Sequence, residues 1–355
     1  MHLENGRMPR EYTRYTAAKT AAVVLGGALL FLLLLVSISV GAVAIPLPEV
    51  VRVLLGGGEG RWNTIILQIR LPQALAALAA GAGLSVAGVA MQSILRNPLG
   101  SPFTLGVSNA AAFGAAFSVM ALSSGSMQSS AADAVSIADP YVTTLSAFVA
   151  SLIATGVILA VSRVRRSSPE VMVLTGVAMG SLFTAGTMVL QYFADDVQLA
   201  AMVFWTFGDL GRASWGELMV ISAVTVAASI YFLANRLNYN AMDAGDETAR
   251  GLGVAVARLR LAGMLTASLV TATIISFVGV IGFVGLVCPH MVRRIVGDDH
   301  RFLVPGSLIA GAGLLLAADT AARLVLAPQV LPVAVITAFI GAPAFIVLLV
   351  RGYRR

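Results

Sequence analysis

Asp243, Asp246, Glu247 and Arg250 stand within eight positions of one another, in a polar segment (240–254) with long apolar runs on either side. None of these charges can stay in hydrocarbon, because each costs about 3 kcal/mol or more at mid-bilayer. The segment therefore lies in water or against another protein. Its pattern predicts a short helix: Asp243 as N-cap, Asp246 and Glu247 in the first turns, and Gly251 and Gly253 ending the run. A helix this short is not stable alone, so it is expected at the membrane surface, held by the spans around it. A solvated loop is the ordinary fate of such a cluster. The sharper reading is a docking helix for a soluble partner.

The other titratable groups are sparse. Asp319 and Arg323 lie four apart in one apolar stretch, a spacing that puts them on one helix face where they can neutralise each other. An internal pair near the outer interface and a functional role fit that spacing equally well. His290 follows Pro289, which frees a helical carbonyl, and the histidine is read as structural because no second metal ligand is near it in sequence. Cys288 is the only cysteine, which excludes an internal disulfide and a multi-cysteine metal site. The Gly-x-x-x-x-Gly-Lys-Ser/Thr phosphate loop is absent, so this chain does not bind ATP in that way. No metal and no cofactor is expected here. His2, His290 and His300 do not cluster on one span, which argues against a membrane-embedded enzyme.

The elements that position these residues follow from composition. Of 355 residues, 58% are hydrophobic and 11% are charged, against about 25% charged in soluble domains. The mean hydropathy is +0.89. The expectation is an all-α polytopic membrane protein, since the alternating segments of a transmembrane barrel are absent. Ten spans are predicted, over 21–44, 64–95, 103–122, 141–161, 171–193, 215–234, 261–277, 281–296, 303–326 and 332–350. The net charge is +6, but the arginines gather at span ends, the mark of membrane orientation and not of nucleic-acid binding. Ten spans put Arg7, Arg10, Arg14 and Lys19, Arg163, Arg165 and Arg166, Arg293 and Arg294, and Arg351, Arg354 and Arg355 all inside, with both termini cytoplasmic. Isolated Arg52, Arg61, Arg70, Arg212 and Arg323 then fall outside, and Trp205 and Trp215 are read as interfacial anchors. A tail (1–19), a permease domain (20–351) carrying the polar segment 240–257, and a short end (352–355) complete the plan. Ten spans are also read as two inverted halves of five.

Two stripes of small residues stand out. Gly81, Ser85 and Gly88 in the second span have the spacing that lets another helix approach closely. Gly176 and Gly180 in the fifth do the same, and Thr184, Thr187 and Gln191 continue that stripe with polar side chains. Packing accounts for the glycines. The polar continuation, with Met179 and Met188 beside it, makes this face the candidate wall of a passage. Such a passage has few fixed charges, so an ion-coupled secondary transporter, which needs titratable groups at mid-bilayer, fits poorly. The work must enter from outside, and the polar segment is where a cytoplasmic engine would push.

A set of ordered motifs sharpens this reading. Arg70-Leu-Pro72, Gly81-Ala-Gly83, Gly88-Val-Ala-Met-Gln92, Asn97-Pro-Leu-Gly-Ser-Pro102 and Leu105-Gly-Val-Ser108 resemble the iron-siderophore/haem/cobalamin family of ABC importer permeases. So do Trp205-Thr-Phe-Gly208, Ala244-Gly-Asp-Glu-Thr-Ala-Arg-Gly-Leu-Gly253, Gly279-Val-Ile-Gly-Phe-Val-Gly-Leu-Val-Cys-Pro-His290 and Gly297-Asp-Asp-His-Arg301. Ala318-Asp-Thr-Ala-Ala-Arg323, Leu331-Pro332 and Gly341-Ala-Pro-Ala-Phe345 complete the set, which runs from about residue 64 to the end.

The resemblance implies a cobalamin-importer-type (type II) fold of ten transmembrane helices, usually paired as a homodimer with the passage between the copies. It implies that Gly176, Gly180, Thr184, Thr187, Met188 and Gln191 lie along that passage. It implies ATPase coupling through Asp243, Gly245, Asp246, Glu247, Thr248, Ala249, Arg250, Gly251, Leu252 and Gly253, seated in a cleft of one of two ABC ATPase subunits, which bind the ATP and magnesium. It implies a periplasmic or lipid-anchored binding protein whose acidic residues meet Arg70 and Arg323. Gln73 stands where a third arginine often follows the Arg-Leu-Pro motif. The expected location is the bacterial cytoplasmic (inner) membrane. The expected cargo is an iron chelate, siderophore or haem, with cobalamin or an oxyanion of the molybdate type as the alternatives. The mixed apolar and weakly polar wall suits a large neutral chelate better than a small anion.

Overall fold

The computed structural model describes residues 10–41, 43–57, 60–122, 139–164, 168–327 and 329–352. Expectations that fall on 1–9, on the outer segment 123–138, and on Arg165, Arg166, Arg354 and Arg355 lie outside the described residues.

Backbone amides in lipid must bond within their own segment, so a chain this apolar has to be helical, and every described regular element is a helix. These are α1 (Arg10–Ser39), α2 (Leu47–Leu54), α3 (Arg61–Thr64), α4 (Leu71–Ile94), α5 (Val107–Ala121), α6 (Pro140–Val164), α7 (Pro169–Phe193), α8 (Asp196–Thr206), α9 (Trp215–Ala234), α10 (Arg236–Asp243), α11 (Asp246–Gly251), α12 (Val256–Val278), α13 (Val284–Val296), α14 (His300–Leu324) and α15 (Val333–Gly352). A π-helical turn, Ile65–Arg70, joins α3 to α4. The ten predicted spans fall on α1, α3–α4, α5, α6, α7, α9 and α12–α15. Among the described residues, seven helices are long and apolar enough to cross a membrane; Val107–Ala121 and Val333–Val347 are shorter apolar helices, and α13 has 13 residues.

The bundle is built around α4. Its small residues bring backbones together, as their spacing predicts. A methyl at Gly81 would overlap the carbonyl of Gly311 on α14, and a methyl at Gly88 would overlap the carbonyl of Gly285 on α13. Pro289 cannot donate to the residue four positions before it, so the Gly285 carbonyl lacks that helical bond, and it faces the bare Cα of Gly88. The close approach of α13 to α4 and the broken ladder inside α13 are thus one feature.

Several expectations are corrected. The outer loop before the second span contains α2, and the span itself begins at Arg61. The outer segment 194–214 contains α8, whose capping box links Asp195 and Gln198; that Asp-x-x-Gln pattern was its sequence signal. Trp205 is buried against Ala111, Ala115, Ala147 and Ile275 and is no interfacial anchor. Trp215 is partly exposed and donates to the Leu67 carbonyl at 3.0 Å. The polar segment is two helices, not one: Asp243 ends α10, and α11 starts after Gly245, whose φ of +116° turns the chain. Asp243 is therefore not an N-cap.

Candidate functional site

One end of the bundle carries the charged segment. Asp246, first residue of α11, accepts from Nη2 of Arg260 through both carboxylate oxygens, at 2.8 and 3.0 Å. Nε of the same guanidinium donates to the Ile94 carbonyl at 3.0 Å. Arg260 is only 2% exposed, inside α12 and not in a loop before it. A buried arginine of this kind is stable only when its donors are paired. Asp246 therefore faces inward as a fastener, while Glu247, Thr248, Arg250, Gly251 and Leu252 are exposed and Ala249 is buried. Residues 244–248 and Arg250 line a cleft of about 800 Å³, with Leu95, Arg96 and the 168–170 turn on its other side.

α10 is fastened separately. His300, the first residue of α14, is 1% exposed. Its Nδ1 and its backbone N–H meet Oδ1 of Asn240 at 2.8 and 2.9 Å, and its Nε2 meets the Ser93 hydroxyl at 3.1 Å. The ring stacks on Tyr239, with centroids 5.7 Å apart. Asn240 donates in turn to Asp299 at 3.1 Å. Asp243 lies 3.7 Å from Nδ1 of His300. Burial pushes the Asp243 carboxyl up to about 6, against the opposing pull of Ser93 and Arg293. Partial burial also raises Asp299, but bonds from Arg301 and Asn240 outweigh it and hold that carboxyl at about 2.

The candidate wall is a face shared by α5 and α7. Two adjoining clefts, of about 460 and 310 Å³, are lined by Phe103, Asn109, Thr184, Met188, Thr187 and Gln191 among others, and no lining side chain is charged. Gly176 and Gly180 border the first cleft, yet both are buried against Leu105 and Gly106. They set the helix spacing, and the polar residues after them give the clefts their hydrogen-bonding groups. Asn109 was not singled out from sequence. It donates to Thr184 at 2.7 Å, and the Leu-Gly-Val-Ser-Asn string around it was the available signal. Met179 points elsewhere and packs on the central core.

At the opposite end of α4, Arg70 is 7% exposed. Its Nη1 donates to the Ile38 and Ser39 carbonyls at 2.7 and 3.0 Å, and its Nη2 to that of Val43. Arg323 pairs with Asp319 at 3.1 Å, the internal pair their spacing allowed, and reaches the Ser37 hydroxyl at 2.9 Å and the Val40 carbonyl at 3.3 Å. Gln73 donates to the other oxygen of Asp319 at 2.9 Å. Both arginines therefore spend their donors on the end of α1 and do not reach out into solvent. The Gln73 amide is an internal partner of the same cluster. His290 is partly buried, and its Nδ1, itself buried, has no hydrogen-bond partner among the described residues.

Known proteins place this arrangement. The FecCD transport family matches residues 29–351. The match begins well before residue 64, where the recognisable motifs start. "Putative ABC transporter permease protein MJ0087" of Methanocaldococcus jannaschii is 50% identical over 348 residues, 98% of this chain and 99% of that protein. "Hemin transport system permease protein HmuU" of Yersinia pestis is 37% identical over 298 residues, 82% of this chain and 86% of that protein. A solved structure described as "An inward-facing conformation of a putative metal-chelate type ABC transporter" superposes with a TM-score of 0.80 at 29% identity, covering 93% of this chain and 98% of that one. With its bundle of apolar helices, uncharged cleft and charged surface segment, the chain is a multi-pass membrane permease of the ABC-importer kind and belongs to the FecCD transport family.

Proposed function

We propose that this chain forms the membrane passage of an ATP-driven importer and that its cargo is an iron chelate, a siderophore or haem. The observation that carries the cargo reading is the α5–α7 wall, which offers amide and hydroxyl groups, an aromatic ring and a thioether, and no charge. A small oxyanion leaving water would need fixed positive charge or several converging N–H donors. A bulky chelate has already wrapped its metal and asks only for weak polar contact along an apolar surface. The names of the haemin permease and of the metal-chelate transporter support the same class.

α7 supports a second copy as partner. It exposes Ser181, Leu174, Val177 and Met188 along one flank. A hydroxyl facing lipid gains nothing there, whereas two such walls facing each other make a lined channel. Two ABC ATPase subunits bind ATP and magnesium and grip the exposed residues of 243–253. A binding protein meets the opposite end, at the turn after α1 that Arg70 and Arg323 hold in place. Both termini lie in the cytoplasm, and the membrane is the cytoplasmic one.

Proteoliposomes holding this chain, its ATPase and its binding protein test the reading. Ferric siderophore or haemin is expected to stimulate ATP hydrolysis and accumulate inside. Stimulation by cobalamin or molybdate alone would reject the cargo. Uptake by the purified chain without the ATPase would reject the importer. Glu247→Arg is expected to abolish co-purification of the ATPase; retained binding and transport would remove the segment from its assigned role.

A further inference from the structure

Three consecutive residues in the last turn of α4 receive three separate fastenings. Gln92 accepts from Arg293 of α13 at 2.6 Å. Ser93 meets His300 of α14 at 3.1 Å, and that histidine carries Asn240 of α10 on its other ring nitrogen. The Ile94 carbonyl accepts from Arg260 of α12 at 3.0 Å, and that guanidinium carries Asp246 of α11. All three α4 residues are buried. The two halves of the polar segment are thus fastened through different side chains to adjacent residues of one helix turn.

The direction of transmission follows from what surrounds that turn. Above it, α4 is locked backbone to backbone against α13 and α14 at Gly88 and Gly81. Below it the chain reverses at Arg96, whose φ of +46° is unusual for a residue with a side chain. Asn97 and Gly100 close a tight turn, with Asn97 N–H bonding back to the Gln92 carbonyl at 3.0 Å. The chain then enters α5, which carries Asn109 to the cleft. A push on the segment has two polar routes into the bundle, and both end on the turn that leads to α5.

We propose that His300 and Arg260 are positioning residues that clamp α10 and α11 to the Ser93–Ile94 turn, and that this turn receives the displacement of the segment and passes it to the α5–α7 wall. The proposal rests on the reading of 243–253 as the ATPase contact. The histidine bridges two elements: its Nδ1–H donates to Oδ1 of Asn240, and its Nε2 meets the Ser93 hydroxyl. Asparagine in its place can reproduce the Nδ1 contact alone, and glutamine the Nε2 contact alone. A clamp needs both.

The test uses the complete transporter in proteoliposomes, with buried Cys288 changed to serine and Met188→Cys placed on the cleft wall. Maleimide labelling of that site is followed before and after ATP with vanadate, and ATP hydrolysis is measured in parallel. In the parent, trapping is expected to change the labelling rate. His300→Asn, His300→Gln and Arg260→Lys are expected to hydrolyse ATP, whose active site lies in another chain, while the labelling response falls at least tenfold. Ser93→Ala, a small change at a buried position, is expected to reduce the response about fivefold and guards against loss of folding in the others. A full response in all four variants would overturn the proposal. Loss of ATPase binding in them would overturn it too, since the residues would then shape the docking surface instead of transmitting from it. Glu247→Arg in the same preparation separates the two claims: if that variant still binds the ATPase, it is the underlying assignment of the segment that has failed.

Discussion

α4 and α7 are written in the same residues and do opposite things. Both carry small side chains at helical spacing, Gly81, Ser85 and Gly88 in one and Gly176, Gly180 and Thr184 in the other. In α4, 78% of the most apolar stretch is buried, and in α7 only 11%. The glycines of α4 are overrun by the carbonyls of α13 and α14, so they are fixed by contact. In the α7 stripe Gly176 is tight, since a methyl there would meet Leu105 at 2.7 Å; a methyl at Gly180 would make ordinary contact with the Gly106 Cα at 3.4 Å. Small residues in a membrane helix therefore mark either a face locked along its length or one that is tight at one position and looser a turn later. What separates the two is whether the stripe ends in more small residues or continues into hydroxyls and amides that need water, cargo or a second wall.

The sharpest way to break this comparison is to add one methyl to each helix. Gly88→Ala forces α13 away from α4 and is expected to cost on the order of 3 kcal/mol, a large fraction of a stability of about 5–15 kcal/mol. Gly180→Ala is expected to cost less than about 1 kcal/mol. Thermal unfolding of both variants by size-exclusion retention would show a gap of many degrees; equal shifts would erase the distinction. Next in size is Arg70→Met, which leaves the carbonyls of Ile38, Ser39 and Val43 without their donor. A loss of about 2 kcal/mol is expected, with α1 becoming protease-sensitive at its outer end. Unchanged stability would mean that the arginine is free for docking after all.

On the loose side the effect should move from stability to function. Thr184→Val removes the hydroxyl that Asn109 meets. The expected outcome is an unfolding temperature within a degree or two of the parent and a change of about fivefold in transport, the scale of one hydrogen bond. A large fall in stability with normal transport would reassign Thr184 to packing.

The last effect is electrostatic and local, and it is small because Asp243 is exposed enough for solvent to screen it. Because Asp243 is pushed up to about 6, the folded protein holds its proton more tightly than the unfolded chain does. The stability this contributes is fully present below the ordinary carboxylate value of about 4 and is lost as pH rises through 6. Asp299, held at about 2, runs the other way: its contribution is present above about 4 and is lost as pH falls through 2. Asp243→Asn should therefore raise the unfolding temperature at pH 7 and leave it nearly unchanged at pH 4. An equal rise at both would show that the carboxyl titrates normally.

The sequence by itself determined the class of molecule and that its charged segment lies outside the hydrocarbon. An apolar chain has to satisfy its amides in helices, and a cluster such as Asp243, Asp246, Glu247 and Arg250 has to leave the hydrocarbon, because both rules act locally and need no partner. The ordered motifs gave the family. The sequence did not say that Asp246 faces inward to a buried arginine, that Asp243 ends a helix, that Trp205 is buried, or that Arg70 and Arg323 turn back onto α1. Those were decided by tertiary structure, for one reason. A charged or aromatic side chain at a membrane surface can go to water or to a neighbouring helix, and the two choices differ by only a few kcal/mol. Spacing along the chain says which face a residue is on, and only the assembled bundle says whether a carbonyl is waiting there.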